Sequence, residues 1–90
     1  MAVIQEAENL FYIGDSPEEK LAFIEYEMDG DVLSILSTEV SHSLRGQGIA
    51  QQLVAYAVDY ARRHHLKITP ICPYAVKQFE IHAEYGDVKA

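Results

Sequence analysis

The spacing of apolar residues changes sharply in the middle of this chain. Up to Val40 they alternate or run in short blocks, and from Ile49 they recur every three to four residues. The block Asn9-Leu10-Phe11-Tyr12-Ile13 is aromatic and β-branched and stops at Gly14-Asp15-Ser16-Pro17. That is the pattern of a strand and a turn. Lys20 to Glu27 predicts a second strand, with Ala22, Ile24, Tyr26 and Met28 on one face and Glu25 and Glu27 on the other. Asp29-Gly30-Asp31 marks a hairpin. Val32 to Val40 follows as a third strand, and alternation from Leu33 and Ile35 puts Ser37 and Glu39 on a common face.

From near Gly48 to near His64 the pattern is that of an amphipathic helix. Ile49, Leu53, Ala57 and Ala61 recur with Ala50, Val54 and Val58 beside them, while Gln51, Gln52, Asp59, Arg62 and Arg63 fall elsewhere. Leu66 to Cys72 reads as a further strand, and Pro70 places it at an edge or splays it. Ala75 to Ala83 predicts a short second helix, and Glu84 to Val88 an irregular tail. Residues 1–8 are weakly patterned. The order predicts an α+β fold, a mixed α/β layer. Three hairpin-linked strands form an antiparallel sheet, and the helical crossover adds one parallel strand.

Composition narrows the picture. Ninety residues make one domain, residues 1–90, with a thin core. The net charge of -7 argues against nucleic acid as a partner, because phosphate binding needs a basic face. It suits a basic or amine-bearing one. Cys72 is the only cysteine, which excludes an internal disulfide and fits a reducing, cytoplasmic setting. The start MAVIQEAENL lacks the basic and apolar regions of a secretion signal. No apolar run approaches the roughly 20 residues of a membrane span, so no membrane partner is expected. No His, Cys or acidic pair has metal-ligand spacing, so no metal is expected either.

The stretch Ser43-Leu44-Arg45-Gly46-Gln47-Gly48-Ile49-Ala50 joins the third strand to the long helix. The first four amides of a helix lack intrahelical partners, and the helix dipole makes that end positive. Glycines let a phosphate approach the backbone, and successive amides in such a turn can converge on one oxyanion. Arg45 adds a full positive charge. The last turn of the helix carries Arg62, Arg63, His64 and His65, which complement the dipole, whereas the first turn holds Gln51 and Gln52 and no acid. A bound phosphate would take the place of that acid. The motif is neither a P-loop nor G-x-G-x-x-G, since Gln51 stands at the last position.

Arg45, Gly48 and Ala50 fill the signature Gln/Arg-x-x-Gly-x-Gly/Ala, and so the chain resembles the GNAT superfamily of N-acetyltransferases. It is most similar to the small single-domain members. Asn9 and Phe11, Ala22, Ile24 and Tyr26, Thr38-Glu39-Val40, Pro70 and Cys72, and His82, Glu84 and Tyr85 extend the likeness over nearly the whole chain. The resemblance implies a minimal GNAT-like fold with acetyl-CoA or CoA as cofactor. Its pyrophosphate would lie on the amides of Gly46, Gln47, Gly48, Ile49 and Ala50. Its pantetheine arm would run past Thr38, Glu39 and Val40, and the strand ending near Cys72 would splay away to leave a slot for the thioester.

Acetyl transfer to an amine needs a deprotonated amine, a polarised carbonyl and a proton for the leaving thiolate. Larger members place a tyrosine on the last helix as the acid. Here Phe79 falls near that position, with Tyr74 and Tyr85 out of register. Cys72 could carry the acetyl group or act as the acid, or be a small buried hydrophobe. Glu39 could take the amine proton, or be a solvated strand-end acid. His42, His64, His65 and His82 read as surface residues. The expected activity is acetyl transfer to a small-molecule or peptide amine. A GNAT fold that binds CoA without turnover is the alternative, and a cofactor-free interaction domain is a further one. Only the short segment from Gly14 to Lys20 separates the first two strands. The acceptor site is therefore open or completed by a partner chain, for which a homodimer is one arrangement.

Overall fold

The computed structural model describes residues 3–90. Five strands form one sheet in the order β1 (Gln5–Ala7), β2 (Leu10–Gly14), β3 (Lys20–Asp29), β4 (Val32–Val40) and β5 (Lys67–Pro70). The first four are antiparallel, and β5 joins β4 in parallel through helix α1 (Ile49–Arg63). Helix α2 (Pro73–Ile81) follows β5 directly. The α+β architecture expected from the pattern is the one observed.

Strand β1 was not foreshadowed by residues 1–8. It is three residues long, and Gln5 and Glu6 are exposed, so it carries almost no apolar signal. Glu8 and Asn9 turn it into β2, with Asn9 in the left-handed region at φ 59. Asn tolerates that conformation better than most residues. Asn9 thus belongs to the turn rather than starting the strand. The side chains of β1 anchor it. Gln5 Nε2 donates to the Gly14 carbonyl at 2.7 Å, and the Tyr56 hydroxyl of α1 donates to the Glu6 carboxylate.

One core lies between the sheet and α1. The helix buries Ile49, Leu53, Val54, Ala57, Val58 and Ala61, the face its period predicts. They meet Phe11, Ile24, Leu33, Ile35 and Ile68, all fully buried. Phe11 is ringed by Tyr26, Tyr56 and Tyr60 at centroid distances of 4.6, 5.1 and 5.0 Å. Met28, expected with Ala22, Ile24 and Tyr26, lies near the strand end and is 42% exposed. The opposite face of the sheet leaves Leu21, Glu25, Glu27 and Glu39 exposed.

Two irregularities shape β4. The pairing steps from Glu25↔Ser37 to Tyr26↔Ile35, so Leu36 is a bulge residue. A bulge flips the side-chain alternation. Leu33 and Ile35 face the core, but beyond the bulge it is Thr38 and Val40 that sit opposite the buried Ile24 and Ala22. Ser37 and Glu39 do share a face, but it is the exposed one of Glu25 and Phe23. Then β5 stops at Pro70, two residues before the expected end. The Ile71 and Cys72 amides both donate to the Ile35 carbonyl, at 3.0 and 3.1 Å, and the chain turns away from β4.

Pro73 takes the first helical position, where a missing N–H costs nothing. Helix α2 therefore starts earlier than Ala75 and ends at Ile81. Beyond it, residues Ala83–Asp87 form a 3-10 turn. The tail returns to β5, where Ile68 donates to the Val88 carbonyl at 2.6 Å and Ala90 to the Ile68 carbonyl at 2.8 Å. Arg62 grips it bidentately through Asp87 at 2.9 Å. None of the described helices is long and apolar enough to cross a membrane.

The tyrosines around Phe11 give the fold a pH signature. Burial, with Tyr60 and Glu6 adding repulsion, pushes the Tyr26 phenol up to about 12 from 10.0. The native state then holds a proton that the unfolded chain has lost, so stability falls as pH rises between these values and levels off above them. Denaturant midpoints measured from pH 9 upward should decline beyond about pH 10 in the wild type and decline less in Tyr26→Phe.

Candidate functional site

The parting of β4 and β5 leaves one edge of β4 without a partner from Thr38 to Val40. Ser41 donates to the Leu21 carbonyl on the β3 side at 2.7 Å. In an antiparallel ladder the hydrogen-bonded pairs alternate. Glu39 therefore bonds toward β3, and the main-chain groups of Thr38 and Val40 turn to the open side. There the Val40 carbonyl accepts from Arg45 Nε at 3.2 Å, which leaves the other guanidinium nitrogens uncommitted.

Next to this edge, a cleft of about 400 Å³ is lined by Val40, Leu44, Arg45, Gly46, Gly48, Tyr74 and the first turn of α1, Ile49 to Gln51. Gly48 is the N-cap of α1 at φ 73, offers no capping side chain, and is followed by no acid in the first turn. Gln52 is the first helical residue whose amide finds a carbonyl, that of Gly48 at 3.1 Å. The amides of Ile49, Ala50 and Gln51 are thus left without intrahelical acceptors. A Cβ on Gly46 would meet no atom within 4 Å, and on Gly48 only Gln51 Oε1 at 3.8 Å. Glycine is demanded here by the positive φ of 82 and 73, not by crowding. Orphaned amides, free guanidinium nitrogens and a bare strand edge are a donor set that fits an extended phosphate ester.

Cys72 sits at the inner end of this arrangement as the N-cap of α2. Its Sγ lies 3.3 Å from Thr38 Oγ1 on the free edge and accepts from the Ala75 amide at 3.3 Å. It is 8% exposed and belongs to the core. Glu39 is exposed on the opposite side of the same strand. The structure therefore brings together Thr38, Val40, Arg45, Gly46, Gly48, Ile49 and Ala50 along one cleft and edge, with Cys72 against Thr38. Gln47 is exposed beside the cleft without lining it.

Phe79 is 8% exposed and packs against Tyr85, the ring centroids 5.4 Å apart and the rings tilted by 57°. Tyr85 in turn packs on His82 at 5.0 Å, and His82 Nδ1 meets Glu84 at 3.3 Å. Burial raises the phenol of Tyr85, with the neighbouring Glu84 adding to it. Burial likewise raises that of Tyr74, with Tyr85 adding, so both stay protonated at neutral pH. The sequence reading set Tyr74 aside as out of register and did not single out Gln78. Tyr74 lines the cleft because Pro73 starts α2 early enough to set it in the first turn. Gln78, one turn further on, is buried, and its Oε1 has no hydrogen-bond partner. Among the described residues no three His, Cys or acidic side chains are grouped to hold a metal.

The comparisons with known proteins agree on this architecture. Residues 10–88 match the model of a family described as GCN5-related N-acetyl-transferase. The chain is similar to the solution structure of a GCN5-like N-acetyltransferase candidate from Staphylococcus aureus, with 38% identity over 99% of this chain and 88% of that one and a TM-score of 0.82. Two longer enzymes from Escherichia coli share the fold at 15% identity. One is the ribosomal-protein-S18-alanine N-acetyltransferase, with a TM-score of 0.63 over 83% of this chain and 52% of that one. The other is a GNAT family N-acetyltransferase in complex with CoA, with a TM-score of 0.61 over 86% and 44%.

The positive φ at Gly48 sets a measurable cost. Gly48→Ala should lower stability by about 1 kcal/mol through left-handed strain. The denaturant midpoint should fall while the slope stays that of the wild type.

Proposed function

The chain belongs to the GCN5-related N-acetyltransferase family, and from that premise we propose that it transfers an acetyl group from acetyl-CoA to an amine through Cys72. Acetyl-CoA or CoA is the cofactor. When bound, it supplies an acetyl group activated as a thioester. Gly46, Gln47, Gly48, Ile49 and Ala50 would hold the pyrophosphate on their amides, and Arg45 would add charge. Thr38 and Val40 would hold the pantetheine arm with the main-chain groups that β5 leaves free.

The observation that carries the transfer is the seating of Cys72 Sγ, 3.3 Å from Thr38 Oγ1 and 3.3 Å from the Ala75 amide. The amide donates to the sulfur as it would to a thiolate. The Thr38 hydroxyl orients that sulfur at the free strand edge. Cys72 receives the acetyl group as a thioester, its proton leaving with the departing thiol. The acceptor nitrogen then attacks that carbonyl, the Sγ–acyl bond breaks, and Cys72 is restored. The proton of the attacking nitrogen returns to the Cys72 sulfur as that bond breaks, because Glu39, on the opposite and exposed side of the strand, does not face it. A small molecule or a peptide can serve as acceptor, since the exposed sheet face walls off neither.

A second reading is a CoA-binding protein without turnover. It is favoured by Phe79, which stands near the expected acid and has no proton to give.

Ligand binding is tested first. CoA at one hundred times its Kd should stabilise the fold by about 2.7 kcal/mol, raising Tm by several degrees. Gly48→Glu, with a carboxylate where the phosphate belongs, should lose that shift. Labelled acetyl-CoA then separates the two readings. Intact-protein mass should show one acetyl group on Cys72, drained by added amines. Cys72→Ala should lose both the label and the amine product while keeping the CoA-induced rise in Tm. An acetyl group that never leaves the cofactor in the wild type would establish the binder.

A further inference from the structure

Gln78 is the only polar side chain among the described residues that is both buried, at 4% exposed, and left with an unpartnered atom, Oε1. Leaving a buried acceptor unmade is costly, so each such atom in a native fold calls for a partner. Its neighbours on the helix say where that partner comes from. At about 100° per residue, Gln78 projects between Tyr74, about 40° away, and Ala75, about 60° away on the other side. Ala75 is in the core and Tyr74 lines the cleft. The same helix begins at Cys72, against Thr38 on the free edge of β4. Gln78 therefore lies one turn beyond Tyr74, behind the residues that line the cleft.

We propose that Gln78 is a positioning residue for the cofactor, its carboxamide oxygen accepting a hydrogen bond from an amide N–H of the pantetheine arm. The inference rests on the cofactor reading above and extends it. A pantetheine arm carries two secondary amides, and an arm entering a slot between β4 and α2 loses water from both sides. The edge of β4 offers main-chain groups on one side only. On the other side Tyr74 is the residue of α2 that lines the cleft, and one turn deeper Gln78 brings a buried acceptor without a partner, within reach of an arm that passes Tyr74. A hydrogen bond there would hold the arm at a fixed depth, and so set where the thioester lies relative to Cys72.

The test compares two ligands that share the phosphates and differ in the arm. Isothermal titration of CoA and of adenosine 3′-phosphate 5′-diphosphate is carried out on the wild type and on Gln78→Met. The variant should be at least as thermostable without ligand, since it no longer buries an unpaired oxygen. Its Kd for CoA should rise about tenfold, and its Kd for the nucleotide should stay unchanged. A second measurement needs no variant. In the wild-type NMR spectrum, the Gln78 carboxamide NH2 signals should shift on adding CoA and stay still with the nucleotide. Unchanged CoA affinity in Gln78→Met, equal weakening of both ligands, or a carboxamide signal indifferent to CoA overturns the proposal and leaves the cofactor reading standing. Failure of the wild type to bind either ligand overturns both.

Discussion

The Ile35 carbonyl is the point on which this molecule turns. It accepts two amides, those of Ile71 and Cys72, at the place where β5 would otherwise continue along β4. Pro70, which has no N–H to offer, precedes them. The ladder ends there, and everything functional follows. The edge of β4 from Thr38 to Val40 is left bare, Cys72 becomes the cap of α2, and α2 is set as the far wall of a cleft. Each ladder bond forgone gives up on the order of 1 kcal/mol. A small domain with a thin core has little to spare. An edge left open under those conditions is better understood as a place for another chain of amides than as a lapse in pairing.

The bulge at Leu36 makes that edge usable. Without it, the face that buries Leu33 and Ile35 would continue through Ser37 and Glu39, driving a carboxylate toward the core. One extra residue exchanges the faces, so Thr38 and Val40 look toward the cleft and Glu39 toward solvent. The two irregularities act on perpendicular directions. The bulge decides which side chains face the site, and the parting of the strands decides which main-chain groups do.

Much of this was legible in the residues. The switch of period at Gly48 located α1 to within a residue at each end, because six apolar positions recur on one face. The acid-free first turn and Arg45 pointed to an anion at that end, and the amides there are in fact without partners. What escaped were features that carry little apolar signal. Strand β1 is three mostly exposed residues held by Gln5 and Glu6. The bulge at Leu36 is invisible because Leu is as acceptable in a bulge as in a strand. The early start of α2 was hidden by Pro73, which suits a helix start as well as a break. Missing that start left Tyr74 judged only against the register of Phe79 and left Gln78 unnoticed. Their placement follows from the phase of the helix, and the phase follows from its first residue.

The charge of the protein limits how its site can work. A chain of net charge -7 repels a polyanionic ligand at long range, and among the described residues Arg45 is the only charged one lining the cleft. The other cations of α1 are engaged at its far end, where Arg62 pairs with Asp87 and Arg63 with Asp59. They neutralise the negative end of the helix dipole and leave the positive end uncompensated. On the proposed reading, recognition of phosphate would rest on short-range donors, the amides of the glycine turn, which salt screens far less than it screens the net charge. The same logic would apply along the arm, where neutral amides would meet the neutral edge of β4. On that reading binding would depend on direction and spacing of hydrogen bonds rather than on charge. The positive φ of Gly46 and Gly48, which sets the direction of those amides, would then matter more to the proposed site than the one cation near it.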